Sequence, residues 1–460
     1  MVLSLAACGV REDESTEGTT ESKTEGTTEG TTESESKSET ETETETDAAD
    51  PFENIGVMTH AEYMAAEMDA PVVIEAYVQA TQSWWNNKIT VYLQDNDGGY
   101  LAYEMACSEE DAANLVPGVK IRVKGYKTAW EGEVELASGA TFEFVEGADT
   151  YLADPVDLTG ILANEEELIK HQNKLAIFKN LVVEKVEYKN GEPGDDIYVT
   201  VKQGENSFEF CVERYLTGPD TELYQAFANI QEGDVVDLTG FVYWYKGANP
   251  HVTAVDVLLS HEEYLAAEMD SYVMIEGYVQ ATQSWWNNQI VVYLQDRDGG
   301  YLAYNMVCTA EEAEKLVPGT KIRVKGYKTA WEGEVELAEG CTFYFVEGAD
   351  TYIAEPVDLT DILANEDELI KHQNELATFK NLEIVEINYK NGEPGDDIYV
   401  TVKQGEGTFE FCVERYLTDP DTDVYKLFAD LEEGDVVDIT CFMYWYKGAN
   451  PHIVSVSVNG

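Results

Sequence analysis

Apolar and polar residues alternate in short runs along most of the chain, a period of two that predicts strands. Ile89-Thr90-Val91-Tyr92-Leu93-Gln94 shows it cleanly: Ile89, Val91 and Leu93 face inward, and Thr90, Tyr92 and Gln94 outward. Over residues 58–153 the pattern gives a helix opened by the capping box Thr59-x-x-Glu62 and running to about Met68. Strands follow at Val72–Ala80 and Ile89–Gln94, then a turn through Asp95-Asn96-Asp97-Gly98-Gly99 into Tyr100–Cys107. A helix capped by Ser108 reaches about Leu115, ahead of strands at Val119–Lys127 and Glu133–Leu136 and an edge strand at Thr141–Val145. Residues 181–258 repeat the order, with strands Leu181–Lys189, Asp196–Gln203 and Ser207–Tyr215, a helix over Thr221–Ile230, and strands Val235–Lys246 and Pro250–Val257.

The chain repeats itself at an offset of 201: Trp84-Trp85 return as Trp285-Trp286, Trp130 as Trp331, and His60, His171 and His251 as His261, His372 and His452. Identity of this kind follows from duplication alone and marks no site. Within each copy a glycine trio spaced by seven occurs twice, at Gly118, Gly125, Gly132 and again at Gly233, Gly240, Gly247. Cys441 interrupts the last trio, between Gly434 and Gly448. Mid-strand glycine marks a barrel corner or bulge. The chain therefore divides into four related modules, 58–153, 154–259, 260–354 and 355–460. The order β-β-β-α-β-β with that trio resembles the OB-fold, so the expected fold is mainly β: four tandem five-stranded Greek-key barrels with short helices.

Ahead of them, residues 11–50 hold fifteen acids and three bases, with no aromatic or branched aliphatic residue, which predicts a disordered tether over 9–57. Leu5-Ala6-Ala7-Cys8 resembles a bacterial lipobox, whose cysteine carries lipid; Met1–Leu5 is only the end of such a signal. Together the pattern is similar to tandem OB-fold lipoproteins of Gram-positive bacteria. That resemblance implies anchoring to membrane lipid through Cys8 at the extracellular face, and OB-folds as a class bind oligonucleotides, oligosaccharides or proteins.

The formal net charge is −61, of which the tether carries −12 and the rest of the chain −49. That balance opposes non-specific nucleic-acid binding. The expected ligand site is aromatic: Trp84, Trp85, Asn86 and Tyr92 with Trp130, repeated as Trp285, Trp286, Asn287, Tyr293 and Trp331. The tryptophans fall in the loops joining strands 1–2 and 4–5, where they are expected to converge on one barrel mouth, with Asn86 and Asn87 supplying hydrogen bonds. A glycan or other polymer is the first expected partner. Single-stranded nucleic acid is the alternative, using Lys120, Arg122, Lys124 and Lys127 on strand 4, although these bases are expected to pair with Glu133 and Glu135 across the 4–5 hairpin. A structural or protein-contact role without a small ligand is the third. No cofactor or metal is expected: Asp95-x-Asp97-Gly98 lacks the later ligands of a calcium loop and reads as a turn. No catalytic motif appears, so no enzyme is expected. The six cysteines after Cys8 read as buried thiols, with a bond between Cys341 and Cys441 the one pairing considered.

Overall fold

A computed structural model describes residues 50–459; Cys8 and the expected tether up to residue 49 lie outside the described residues, and 51–54 of its last stretch form a turn. The fold is mainly β. Its first sheet comprises β1 (Pro71–Thr81), β2 (Lys88–Gln94), β3 (Gly99–Ala106), β4 (Lys120–Trp130), β5 (Glu133–Leu136) and β6 (Thr141–Phe144), in the order β1-β2-β3-β5-β4-β6. Pairing of β1 with β4, from Pro71↔Tyr126 to Tyr77↔Lys120, closes the barrel, and β5 joins β3 in parallel at Ala102↔Leu136. This is the OB-fold connectivity. Gly125 sits where β4 bends; a Cβ there would lie 2.8 Å from that of Ala140, so the corner requires glycine.

The second barrel adds a parallel edge strand, β7 (Val156–Asp157), to β8 (Leu175–Tyr188), β9 (Ile197–Gln203), β10 (Asn206–Val212), β11 (Val235–Phe241) and β12 (His251–Val257). Two strands depart from expectation. β8 starts six residues early, because Leu175–Phe178 continue the ladder with β11 across a kink at Asn180, whose φ is +58°. β11 stops at Phe241, and Tyr243–Ala248 instead form a loop with Lys246 at φ +60°. The third barrel is β13 (Tyr272–Thr282), β14 (Gln289–Gln295), β15 (Gly300–Val307), β16 (Lys321–Trp331), β17 (Glu334–Leu337) and β18 (Thr342–Phe345). The fourth is β19 (Val357–Asp358), β20 (Leu376–Tyr389), β21 (Ile398–Gln404), β22 (Gly407–Val413), β23 (Val436–Phe442) and β24 (His452–Asn459).

Each barrel encloses its own apolar core; Val72, Ile74, Val91, Leu93, Tyr100, Ile121, Val123 and Leu136 belong to the first. The capping box of α1 (His60–Ala65) forms as expected, Glu62 N donating to Thr59 Oγ1 at 3.3 Å and Thr59 N to Glu62 Oε2 at 2.8 Å. The helix ends before Met68 because Lys127, buried, reaches its end: Nζ donates to the carbonyls of Met64 and Ala66 at 2.7 and 2.8 Å. Two smaller apolar clusters lie between barrels rather than inside them, joining the first barrel to the second and the third to the fourth.

Candidate binding surfaces

The loop between β1 and β2 is a tight hairpin. Trp85 and Lys88 exchange backbone hydrogen bonds at 3.0 Å, and Asn86 and Asn87 between them sit at φ +49° and +56°. Asparagine tolerates that left-handed backbone better than most residues. The role of these asparagines is therefore conformational. Their turn sends the two indoles apart. Trp84 lies against the barrel core, its Nε1–H donating to the Cys107 carbonyl at 2.9 Å, while Trp85 is 61% exposed. The second copy keeps the turn and the indole bond but leaves the first ring more open: Trp285, 40% exposed, donates from Nε1–H to Cys308 O at 2.8 Å, Asn287 and Asn288 hold φ +50° and +60°, and Trp286 is 78% exposed. Trp130 ends β4 before the turn Glu131-Gly132 (φ +49° and +105°) and is 60% exposed; Trp331 matches it at 59%.

Three expectations need correction. First, Tyr92 and Tyr293 are not on a ligand face: both are fully buried. Tyr92 stacks on Phe241 of the second barrel at 4.3 Å, and its hydroxyl meets His251 Nδ1 at 2.6 Å; Tyr293 does the same with Phe442 and His452. With Leu101, Leu175, Leu216 and Tyr243, these residues bury the β2–β3 face of each odd barrel under its even neighbour. The face by which an OB-fold ordinarily takes a ligand is thus an internal interface.

Second, the two tryptophan loops do not meet at one mouth. Lys88, beside Trp85, pairs with Ala106 at the end of β3, whereas β5, entered from Trp130, runs parallel to β3 with Leu136 opposite Ala102. Glu133 therefore lies near the start of β3. About seven strand residues separate the loops, roughly 23 Å at 3.3 Å per residue. Each loop leans on the even barrel instead: Ser83 N donates to Tyr215 O at 2.7 Å, and Lys246 N to Glu131 O at 2.8 Å.

Third, Glu133 and Glu135 do not pair with the strand 4 bases. Glu133 is buried in the interface and accepts from the Trp244 backbone N–H at 2.9 Å. Burial holds its carboxyl well above the usual carboxylate range, and raises Glu334, its counterpart, to about 8 and Glu135 to about 7. Burial also lowers His251 and His452 to about 3, so both are neutral beside their tyrosines. The bases pair with β1 and beyond: Lys120 and Arg122 with Glu75 at 3.0 and 2.5 Å, Arg122 with Glu143 at 2.8 Å, Lys321 and Arg323 with Glu276 at 2.5 and 2.8 Å. Lys325 bridges to Asp237 and Asp256 of the second barrel at 2.5 and 2.7 Å, tying the two copies together.

The remaining features are structural. Asp95 Oδ1 accepts from the backbone N–H groups of Asp97 and Gly98 at 2.8 and 2.7 Å, closing a turn, and no metal-ligating cluster occurs among the described residues. Cys341 and Cys441 belong to the cores of the third and fourth barrels and are free buried thiols. No described helix is long and apolar enough to cross a membrane.

One feature escaped the sequence reading. Where the loop carrying Trp285 abuts the fourth barrel there is a cleft of about 430 Å³. Trp285, Ile290, Tyr416 and Leu417 supply its apolar lining, Gln283 and Ser284 its neutral polar lining, and Glu314 and Asp419, both exposed, its acidic lining. The Ser284 N–H donates to Tyr416 O at 2.8 Å, closing one side. Tyr416 is half exposed and carries the Arg415 guanidinium over its ring at 5.0 Å. Only docking of two barrels creates this cleft, and no local pattern announces it.

No protein-family model matches the chain, and neither does any curated protein. Solved structures similar to parts of it include a murine DNA-binding protein bound with double-stranded DNA, at 15% identity and TM-score 0.22, covering 40% of this chain and 94% of that one. A replication protein A heterotrimer bound to single-stranded DNA covers 85% of this chain and 94% of that one, at 9% identity and TM-score 0.19. The p202 HIN1 domain with a 12-mer duplex covers 45% and 96%, at 12% identity and TM-score 0.22. Likenesses this weak say nothing about ligand.

Proposed function

We propose that the barrels form a non-catalytic binding array that holds a carbohydrate polymer on its exposed tryptophans, carried at the outer face of a bacterial membrane by lipid on Cys8. One observation carries the ligand reading: Trp85, Trp130, Trp286 and Trp331 are 59–78% exposed on ordered hairpins, while Trp244 and Trp445 are buried. Held on hairpins by backbone hydrogen bonds, these indoles present flat aromatic faces of the kind that stack on sugar rings. The two loops lie too far apart to grip one sugar, so each indole is a separate contact along an extended ligand. The membrane reading rests on Leu5-Ala6-Ala7-Cys8 and the acidic tract after it.

Single-stranded nucleic acid is the competing ligand, since indoles stack on bases equally well. Against it stands the use of all but Lys124 of the strand 4 cations: Lys120, Arg122, Lys321, Arg323 and Lys325 are held by carboxylates and Lys127 and Lys328 by carbonyls, in a chain of net charge −61. A glycan and oligonucleotide array, probed with the wild-type chain and with Trp85→Ala combined with Trp286→Ala, tests the reading. Carbohydrate signals that vanish in the variant and are flat between about 50 and 200 mM salt support it. Oligonucleotide signals falling steeply over that range would transfer the function to nucleic acid. Growth of the cells with labelled fatty acid, followed by loss of label in Cys8→Ala, tests the anchor.

A further inference from the structure

We propose that the cleft between the third and fourth barrels is a binding site for a pyranose bearing an ammonium group, an inference that rests on the carbohydrate reading above. Its size suits one or two sugar rings, within the range of ordinary small-ligand sites, which favour domain interfaces. The walls supply what a sugar ring needs. Trp285 is pinned by the bond from its Nε1–H to Cys308 O, so its exposed face is presented rigidly, and the Ser284–Tyr416 backbone bond holds the Tyr416 main chain beside the same cleft. Preorganised aromatic faces lose little entropy on binding.

The rim chooses the charge. Glu314 and Asp419 border the cleft, and no lysine or arginine lines it. Arg415, the nearest cation by sequence, lies over the Tyr416 ring at 5.0 Å with Asp396 4.0 Å from its guanidinium, so its charge is already matched by a carboxylate. Aromatic faces beside carboxylates attract organic cations, both through the ring quadrupole and by charge-assisted hydrogen bonds. A phosphate or sulfate would meet two like charges there. Duplication supplies an internal comparison: Thr81, Gln82, Ser83, Trp84, Tyr215 and Leu216 are unchanged in the first copy, but Ala113 and Gly218 stand where the second has Glu314 and Asp419. Glu109, in place of Ala310, is the one acid the first copy has instead. The two copies therefore offer the same aromatic wall with different charge at the rim.

The test titrates the full chain with the fully deacetylated hexamer of chitosan and with its fully N-acetylated counterpart at about 150 mM salt, followed by calorimetry. These probes differ only in whether each ring carries an ammonium or an acetamide. The expected result is at least about tenfold tighter binding of the amine form. Glu314→Ala with Asp419→Gly, which restores the first copy's residues at two solvent-facing positions, removes that preference and leaves the melting temperature unchanged. Equal or tighter binding of the acetylated hexamer, or an undiminished preference in the double variant, overturns the inference. Glycan binding that depends on Trp286 but not on Glu314 or Asp419 sinks this site alone; no binding of any glycan, with or without Trp286, sinks the carbohydrate reading with it.

Discussion

Replacing Glu334 by glutamine should stabilise the second pair of barrels, and by more as the pH rises. The carboxyl is buried where the third barrel meets the fourth; Oε2 accepts from Trp445 N at 2.8 Å, and Oε1 has no partner among the described residues. No cation offsets it, and burial outweighs the hydrogen bonding of Trp445 and Asn374 to lift it from 4.5 to about 8. In the unfolded chain the group ionises near its ordinary value, so between about pH 4.5 and 8 the folded state holds a proton that the unfolded state has lost. Stability then falls as pH rises through that window. At 1.36 kcal/mol per unit, holding the proton at pH 7 costs about 3 kcal/mol, and at pH 5 under about 1. The amide of Glu334→Gln needs no proton and keeps an acceptor for Trp445 N–H. Thermal unfolding at pH 5, 7 and 8.5 measures the outcome. A gain of about 3 kcal/mol corresponds to roughly 6–12 °C in a unit of this size, expected at pH 7 and above and nearly absent at pH 5. A shift of the same size at every pH, or a loss at pH 8.5, would refute the assignment of a neutral buried acid.

Substitutions at four further positions probe the architecture. Tyr293→Ala empties a buried stack against Phe442 and strips the partner from His452, so about 3–5 kcal/mol should be lost by chemical denaturation, whereas Trp286→Ala, at an exposed ring, should cost under about 1. Lys328→Ala leaves the Leu265 and Ala267 carbonyls, which its Nζ meets at 2.9 and 2.7 Å, without their donor; about 2–4 kcal/mol of destabilisation is expected, with Lys328→Met recovering only the packing part. Gly300→Ala would set a Cβ 2.3 Å from the Asn374 backbone, and limited proteolysis should cut between the third and fourth barrels faster in that variant than in wild type.

What could be read from the chain was whatever depends on near neighbours. Alternation in Ile89–Gln94 located a strand and its inward face because side chains on a strand point alternately to its two sides. The capping box at Thr59 and Glu62 and the spaced glycines placed a helix start and barrel corners, since each answers to backbone geometry within a few residues. What faced outward could not be told from what faced water. Tyr92 and Glu133 occupy positions that a lone barrel would leave wet, and they are buried only because a second barrel, more than a hundred residues away in the chain, closes over the β2–β3 face. That docking moved the tyrosines out of the candidate site, buried Glu133 away from the strand 4 bases, and made a cleft beside Trp285. Local pattern sets the fold of each barrel; desolvation at the contacts between barrels, which no short stretch encodes, decides which of its polar and aromatic groups remain free to meet a ligand.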